Sequence, residues 1–510
     1  MTAATIDKDV IRSTIPARID RLPWSRFHTR MVVALGVAWI LDGLEITVAG
    51  AVAAVLNKNS TLGLSAGKVG FIATVYLIGE VVGALVFGRL SDKWGRKNLF
   101  MVTLGVYLVG SGLTAATWDA SAGAVVFLYA TRFVAGMGIG GEYAAINSAI
   151  DELIPARYRG RTDIAVNGTY WGGAILGTLA SLLFLNVMSP SAGWRVAFLV
   201  GPVLGLVILL VRRNLPESPR WQIMRGRESA AEASIAAIER EVEATGATLE
   251  PVDESKAIDI KPTHRTGYLT LVKVLFQRYP GRSTLGATLM ITQSFLYNAI
   301  FFTYTIVLTK FYGISASKAP IFLIAFAVGN LAGPLTIGRL FDTIGRTRMI
   351  SGTYLLSGVL LAVTAFLFQA NVLTATTQTI CWCVIFFFAS AGASAAYLTV
   401  SEIFPLEVRA QAIAVFFAIA QCFGALGPVL YGHMIGDGSN RTALFYGYLL
   451  GAGVMIVGGI VDAVLGVDAE QKPLEDVAEP LSFVRRTSES LAGYGSSAVA
   501  RGATGITASR

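Results

Sequence analysis

Apolar residues run along this chain in long unbroken stretches rather than in strict alternation. They fall near 31–56, 69–90, 98–117, 123–150, 164–188 and 194–212, and again near 283–309, 318–340, 349–370, 375–402, 411–432 and 442–465. A helix rising 1.5 Å per residue needs about twenty residues to cross a hydrocarbon core, and each stretch has that length. The pattern predicts an all-α membrane protein of twelve spanning helices. A closed barrel would need alternating apolar and polar positions, which these runs lack.

The polar segments divide the chain. Residues 1–30 are polar, with Arg12, Arg18, Arg21, Arg26 and Arg30, and lack the early apolar core of a cleavable signal peptide. A first bundle is expected over 31–212, a charged loop over 213–282 with a helical stretch at Glu228–Gly246, a second bundle over 283–465, and a disordered Ser/Gly/Ala-rich tail over 466–510. Basic residues gather in alternate short loops: Arg89, Lys93, Arg96 and Lys97; Arg157, Arg159 and Arg161; Arg339, Arg346 and Arg348; Arg409. The opposite loops, such as Thr117–Ser121 and Gln369–Thr374, are nearly free of them. The positive-inside rule therefore predicts a multi-pass protein of the cell membrane with both termini cytoplasmic.

Composition agrees. Hydrophobic residues make up 54% of the 510 positions and charged ones only 15%, against roughly a quarter charged in soluble domains. The net charge of +8 sits in the loops between spans, which argues for membrane orientation rather than a nucleic-acid partner. Cys381, Cys383 and Cys422 lie inside apolar runs and His28, His264 and His433 lie outside span interiors, so no metal site is expected. Gly136-Met137-Gly138-Ile139-Gly140-Gly141 fits a dinucleotide-loop pattern, but it lies within a span, where glycines serve close helix packing. Gly63–Lys68 lacks the spacing of a phosphate loop. With no cofactor and no nucleophile or metal constellation, an enzyme is not expected.

The chain repeats itself. Gly88-Arg89-Leu90-Ser91-Asp92 with Gly95-Arg96 recurs as Gly338-Arg339-Leu340-Phe341-Asp342 with Gly345-Arg346, an offset of 250 positions. Glu152-Leu153-Ile154-Pro155 with Arg159 recurs at the same offset as Glu402-Ile403-Phe404-Pro405 with Arg409. One offset shared by two motifs implies two homologous six-helix bundles, the organisation of secondary transporters that alternate access to a central site.

These motifs resemble the signatures of the major facilitator superfamily. Gly88–Lys97 is similar to its loop between spans two and three. Arg132 with Gly136, Gly138 and Gly140 is similar to its span-four motif. Leu215–Arg220 and Ser401–Pro405 with Arg409 resemble the endings of spans six and ten in its sugar-porter branch. The resemblance implies twelve helices in two pseudo-symmetric bundles. It also implies a cytoplasmic gate built from Gly88, Asp92, Gly95, Arg96, Glu152, Arg159, Asp342, Arg346, Glu402 and Arg409, where the bland alternative is a set of solvated loop charges. Span seven keeps Gln293 and Asn298 at the sugar-porter spacing but carries Thr292, Leu296, Phe302 and Thr303 at its other signature positions. Span ten has Tyr397 for the usual Trp, and span five has Asn167 for a Gln. Leu41-Asp42-Gly43-Leu44-Glu45 and Gly140-Gly141-Glu142-Tyr143 look more like relatives that move organic acids and other metabolites with protons.

Ionisable residues cost about 3 kcal/mol or more each at the bilayer centre, so each needs a reason. Helical rise places Asp42 and Glu45 about 17 and 21 Å along span one, Glu80 roughly 16 Å into span two and Arg132 about 13 Å into span four, all near the midplane. The spacing of three puts Asp42 and Glu45 on one face. Desolvation favours a carboxyl's protonated form and a nearby arginine its ionised form, so an acid between the two can load and release a proton. Asp42 or Glu45 is the expected carrier, with Arg132 as modulator or substrate counter-ion and Glu80 as a further coupling candidate; a fixed salt bridge between spans one and four is the structural alternative. Glu142, about 28 Å down span four, is assigned to the gate. The substrate candidates are Asn167, Tyr170 and Trp171 in the first half and Gln293, Tyr297, Asn298, Asn330, Tyr397 and Gln421 in the second, which shows no comparable buried charge.

The expected function is proton-coupled symport of a small polar organic solute, an organic or aromatic acid, another metabolite, or a sugar or polyol. Its partners would be that solute, the proton and the lipid bilayer, with the monomer as working unit. A passive facilitator or proton-driven exporter is the alternative within the class, and a non-transporting solute sensor the alternative outside it.

Overall fold

A computed structural model describes residues 10–482, apart from 57–60, 65, 120, 213–215, 263–266 and 316–317. The first bundle consists of α2 (Arg26–Leu56), α3 (Ala66–Trp94), α4 (Arg96–Thr114), α5 (Ala122–Leu153), the joined pair α6 (Ala156–Gly168) and α7 (Tyr170–Val187), and α8 (Pro190–Arg212). It is preceded by β1 (Ile11–Ser13) and α1 (Ile15–Asp20). The connecting segment carries α9 (Pro219–Met224), α10 (Glu228–Glu243), β2 (Ile258–Ile260) and α11 (Tyr268–Lys273). The second bundle consists of α12 (Pro280–Tyr312), the joined pair α13 (Ala319–Ile337) and α14 (Leu340–Thr343), α15 (Arg346–Gln369), α16 (Ala375–Glu402), the joined pair α17 (Arg409–Gly424) and α18 (Leu426–Ile435), and α19 (Arg441–Leu465); α20 (Leu474–Val477) follows.

Among the described residues, eleven helical segments are long and apolar enough to cross a membrane. The twelfth crossing is α4. Its first turn, Arg96-Lys97-Asn98, dilutes the hydropathy of a helix only 19 residues long. The joined pairs are single spans with a local fault. In span five the fault is Thr169, whose hydroxyl donates to the carbonyls of Val166 at 2.6 Å and Gly36 at 2.8 Å. Such back-bonding perturbs a helix without ending it.

Backbone contact explains the glycine-rich strings. Gly136 and Gly140 of α5 face Tyr76 and Glu80 of α3, where an added Cβ would lie 2.1 and 2.0 Å from the two carbonyl oxygens. Gly138 meets α4 at Tyr107. The dinucleotide-like pattern is therefore a helix-packing seam, and only hydrogen as side chain lets the three helices approach.

An even number of crossings returns both termini to one end, where the polar segments form a cap. β1 pairs antiparallel with β2, and α1 packs its Ile15 and Ile19 against Ile223, Ile235 and Ile260. Arg18 and Arg21 form ion pairs with Glu239 of α10 at 2.5 and 2.6 Å. Burial alone would raise the Glu239 carboxyl, but the two guanidiniums hold it below the usual carboxylate range. The tail differs from expectation. Residues 467–482 are packed rather than disordered: Lys261 N–H donates to Ser482 O, and Glu475 pairs with Arg220. A Ser/Gly/Ala-rich composition describes 483–510, which lie outside the described residues; the charged stretch before them has partners to bind.

Candidate substrate cavity and coupling site

The two bundles enclose a cavity of about 120 Å3. Helical periodicity selects its walls. From α2 come Trp39, Asp42 and Ile46; from α12, Gln293, Ser294, Tyr297, Asn298, Phe301 and Phe302; from α16, Ser390, Ala393, Ser394 and Tyr397. These spacings of three, four and seven keep each set on one helix face. Leu77, Tyr143, Asn167, Tyr170, Trp171, Phe417 and Gln421 complete the lining. Aromatic rings meet across the halves: Tyr143 and Phe417 stack at 4.3 Å, Trp39 meets Tyr397 edge-on at 5.3 Å, and Trp171 lies 5.7 Å from Tyr297.

Eight of the nine substrate candidates line this cavity; Asn330 does not. It stands behind the wall, where its carbonyl oxygen accepts from the Tyr297 hydroxyl at 3.1 Å and its amide donates to Phe326 O at 2.9 Å. It orients Tyr297 rather than facing the space. Several lining residues escaped the sequence reading, notably Trp39, Tyr143, Phe417, Ser390 and Ser394. Trp39 stands three residues before Asp42, and Ser394 and Ser390 stand three and seven before Tyr397, but aromatic and serine positions in a span look like ordinary packing.

The four midplane charges separate into two environments. Glu45 turns into the first bundle, forms an ion pair with Arg132, and accepts from Ser111 at 2.9 Å and Tyr107 at 3.0 Å. Asp42 turns to the cavity and accepts from the hydroxyls of Tyr143 and of Tyr76, the latter at 3.2 Å. Three residues rotate a helix by 300°, so the side chains diverge by about 60°, enough to send one into the bundle and one into the cavity. Tyr76 joins the two sites, because the Arg132 guanidinium lies 4.4 Å over its ring. Arg132 is fully buried and does not line the cavity, so it faces no substrate there. Glu80 crosses the halves, accepting from the Gln421 amide at 2.7 Å. Glu142 sits with Asp42, Trp39 and Tyr143 on the wall of a small adjoining cavity, nearly three helical turns from Glu152. The second half does hold a buried acid, Asp462, near the terminal turn of α19, where Ser351 donates to it at 2.9 Å.

The gate candidates form a twofold lattice at the termini end. In the first half Arg96 donates to Glu152 at 2.7 Å; in the second Arg346 donates to Glu402 at 3.1 and 3.2 Å. Contacts that bind the halves together here include Arg159 with Glu402 at 3.5 Å, the Arg161 N–H donating to Asp342 at 2.7 Å, and Gly88 packed on Ala414. Asp342 also pairs with Arg346 at 2.8 Å. Arg409 is fully buried and donates to Phe404 O at 3.2 Å. The side chain of Asp92 lies outside the described residues.

Each lattice is capped by a carboxylate that sequence reading passed over. Gly95 and Gly345 begin α4 and α15 with φ of +89° and +120°. That left-handed turn exposes the following N–H groups, which Glu217 takes at Arg96 (2.9 Å) and Lys97 (3.3 Å) and Glu470 takes at Arg346 (3.3 Å). Burial raises the Glu217 carboxyl, and these backbone donors only partly counter it. Arg220 then ties the cap to the gate, donating to Glu152 O at 3.1 Å and pairing with Asp20 at 3.1 Å and Glu475 at 3.0 Å.

A sequence profile of the family described as "Sugar (and other) transporter" matches residues 31–480. The chain belongs to this family. As a member it is a transporter of the major facilitator fold and not an enzyme. The niacin transporter NiaP of Acinetobacter baylyi is 27% identical over 464 residues, 90% of this chain and 99% of that one. The 4-hydroxybenzoate transporter PcaK of Pseudomonas putida is 26% identical over 446 residues, 87% and 94% of the two chains. Among solved structures, the proton:xylose symporter XylE bound to 6-bromo-6-deoxy-D-glucose superposes with a TM-score of 0.74 at 19% identity, covering 88% of this chain and 98% of that one. The inward-open form of XylE from E. coli superposes at 0.62, with the same identity and coverage.

Proposed function

We propose that this protein is a proton-coupled symporter that brings a small aromatic or organic acid into the cell, working as a monomer in the cell membrane with both termini cytoplasmic. The observation that carries the reading is the cavity wall. It combines aromatic rings from both halves, amides and hydroxyls, and Asp42, and it has no Lys, Arg or His among the described lining residues.

Coupling follows from that charge inventory. A carboxylate substrate and an ionised Asp42 cannot share a desolvated space without a cation between them, because like charges disfavour each other's ionisation. The proton must therefore load on Asp42 before or with the anion, and the protonated acid can then donate to the bound carboxylate. The flat rings of Trp39, Trp171, Tyr143 and Tyr397 suit a planar ring, and the relatives named for niacin and 4-hydroxybenzoate carry such solutes. Glu45 and Arg132 serve as a fixed pair that sets the Tyr76 hydroxyl against Asp42. The lattice of Arg96, Glu152, Arg159, Asp342, Arg346 and Glu402 is the gate, shut at the termini end in this structure. That end carries Arg157, Arg159, Arg161, Arg339, Arg346, Arg348 and Arg409, which supports its placement in the cytoplasm.

Reconstituted protein tests the reading. An inward proton gradient should concentrate labelled niacin or 4-hydroxybenzoate above its equilibrium level, and dissipating the gradient should abolish that. Uptake that only equilibrates, indifferent to the gradient, would leave a facilitator. The amides of Asn167, Gln293, Asn298 and Gln421 also favour a hydroxylated neutral solute. A thermal-shift screen of acids against sugars and polyols separates the two, since a ligand of the folded state stabilises it.

A further inference from the structure

The polar wall of the cavity continues past Asp42 toward the termini end. Asn167 stands in that wall, and its amide donates at 3.0 Å to the carboxylate of Asp163, one helical turn nearer the termini. Asp163 is 0% exposed. Its Oδ1 and the Oδ1 of Asn167 have no hydrogen-bond partner among the described residues, and no cation there forms an ion pair with it.

The charged groups facing Asp163 from its neighbours do not neutralise it. From α5 comes Asp151, from α16 Glu402 and from α15 Arg346. Arg346 is already bonded to Glu402 and to Asp342, the charged residue of α14. On α6 itself Arg159 is paired with Glu402, and Arg161 lies beyond it. Of the other helices packed on α6, α2 meets this span at Gly36, against Val166 and Thr169, and the end of α13 meets it at Gly338, against Ile164. The one Asn167 amide and an arginine already bonded to two other carboxylates do not make up for the lost hydration of an ionised carboxylate. Three residues away, Gly160 lies directly against Asp342 and Arg346, where a Cβ would come within 2.1 and 2.0 Å of their side-chain atoms. The lattice that shuts the termini end therefore also covers Asp163.

We infer that Asp163 is a second proton-carrying carboxylate of the transport cycle, relaying the proton from Asp42 to the termini end. The inference rests on the proton-symport reading. While the lattice is shut, Asp163 keeps its O–H bond. When the halves part there, water reaches it, that bond breaks, and the proton passes to the termini-side solvent. The vacated carboxylate forms a new O–H bond with the proton that Asp42 gives up through cavity water. Asp163 ends as it began, Asp42 is ionised, and one proton has crossed.

The test compares wild type with Asp163→Asn and Asp163→Glu in proteoliposomes, using whichever of niacin and 4-hydroxybenzoate the wild type accumulates. Asp163→Asn should lose accumulation driven by a proton gradient yet keep counterflow, which needs no net proton release; Asp163→Glu should keep both. Loss of accumulation and counterflow together, or of neither, overturns the inference. A wild type that accumulates neither acid sinks the symport reading instead. The assignment then still faces difference infrared spectroscopy of purified protein across a pH titration without substrate. A protonated-carboxyl band should be present in wild type, absent in Asp163→Asn and shifted in Asp163→Glu. A band unchanged in either variant overturns the assignment, and the Glu variant decides it should the Asn variant not fold.

Discussion

Asp42 and Glu45 sit one helical turn apart and have opposite consequences when neutralised. Glu45 is the counter-charge of a fully buried arginine. Breaking such a pair from one side leaves an uncompensated charge and costs about 3–5 kcal/mol, whereas replacing both partners by apolar groups is often neutral. Glu45→Gln should therefore lower the thermal midpoint of the purified protein steeply, and adding Arg132→Met should recover most of the loss; a stable single mutant would contradict the fixed-pair role. Asp42 has hydroxyl partners and, among the described residues, no cation, so Asp42→Asn keeps the shape and removes the proposed proton site. The expected outcome is a folded protein of near-normal melting behaviour that exchanges labelled substrate but no longer concentrates it under a proton gradient. Retained concentrative uptake would remove Asp42 from the coupling step.

At the scale of helices, the two α-helical starts at Gly95 and Gly345 carry the proposed gate. Each needs a positive φ, which costs any residue with a Cβ, and at Gly95 the Cβ would also fall 2.1 Å from the Glu217 carboxylate. Gly95→Ala should destabilise by more than about 1 kcal/mol and loosen Glu217, while Gly105→Ala, which meets nothing within 4 Å, should be silent. Equal melting temperatures for the two variants would contradict this. These helices also show how far a sequence can be read. The spans follow from hydropathy and the repeat from one shared offset, while Arg96, Arg346 and Glu402 are singled out by the family resemblance of their motifs and not as ion pairs. What stayed hidden depends on rotation and distance. Spacing of three could not say that Asp42 and Glu45 part company, because the outcome turns on which helix faces each side chain. Asn330 and Tyr297 are equally polar in sequence, and only their relative depth makes one the wall and the other its support. The tail acids Glu470 and Glu475 sit in a composition that reads as unstructured, and become legible only beside the Arg346 backbone and Arg220.

Over the whole molecule, the polar segments at the termini end bear on which way the cavity opens. The halves of the structure are bonded to each other at the termini end. Part of that bonding is lent by the tail. Glu470 caps Arg346, Gln471 donates to Asp342 O at 2.7 Å, Arg159 donates to Lys472 O at 3.2 Å, and Glu475 holds Arg220 over the end of α5. The segment touches residues of both halves, so it stabilises the arrangement in which they are close and gains nothing when they separate. Anything that binds one state alone shifts the equilibrium by its differential affinity. Ending the chain after Gly466 should therefore favour the form open at the termini end. Spin labels at the exposed positions Lys93 and Thr343, one on each half, provide the measurement. The distance distribution should lengthen in the truncated protein, and adding Glu402→Gln, which loosens both Arg346 and Arg159, should lengthen it further. A truncated protein whose distances match the full chain would mean that the halves close by their own contacts and that the tail only covers them.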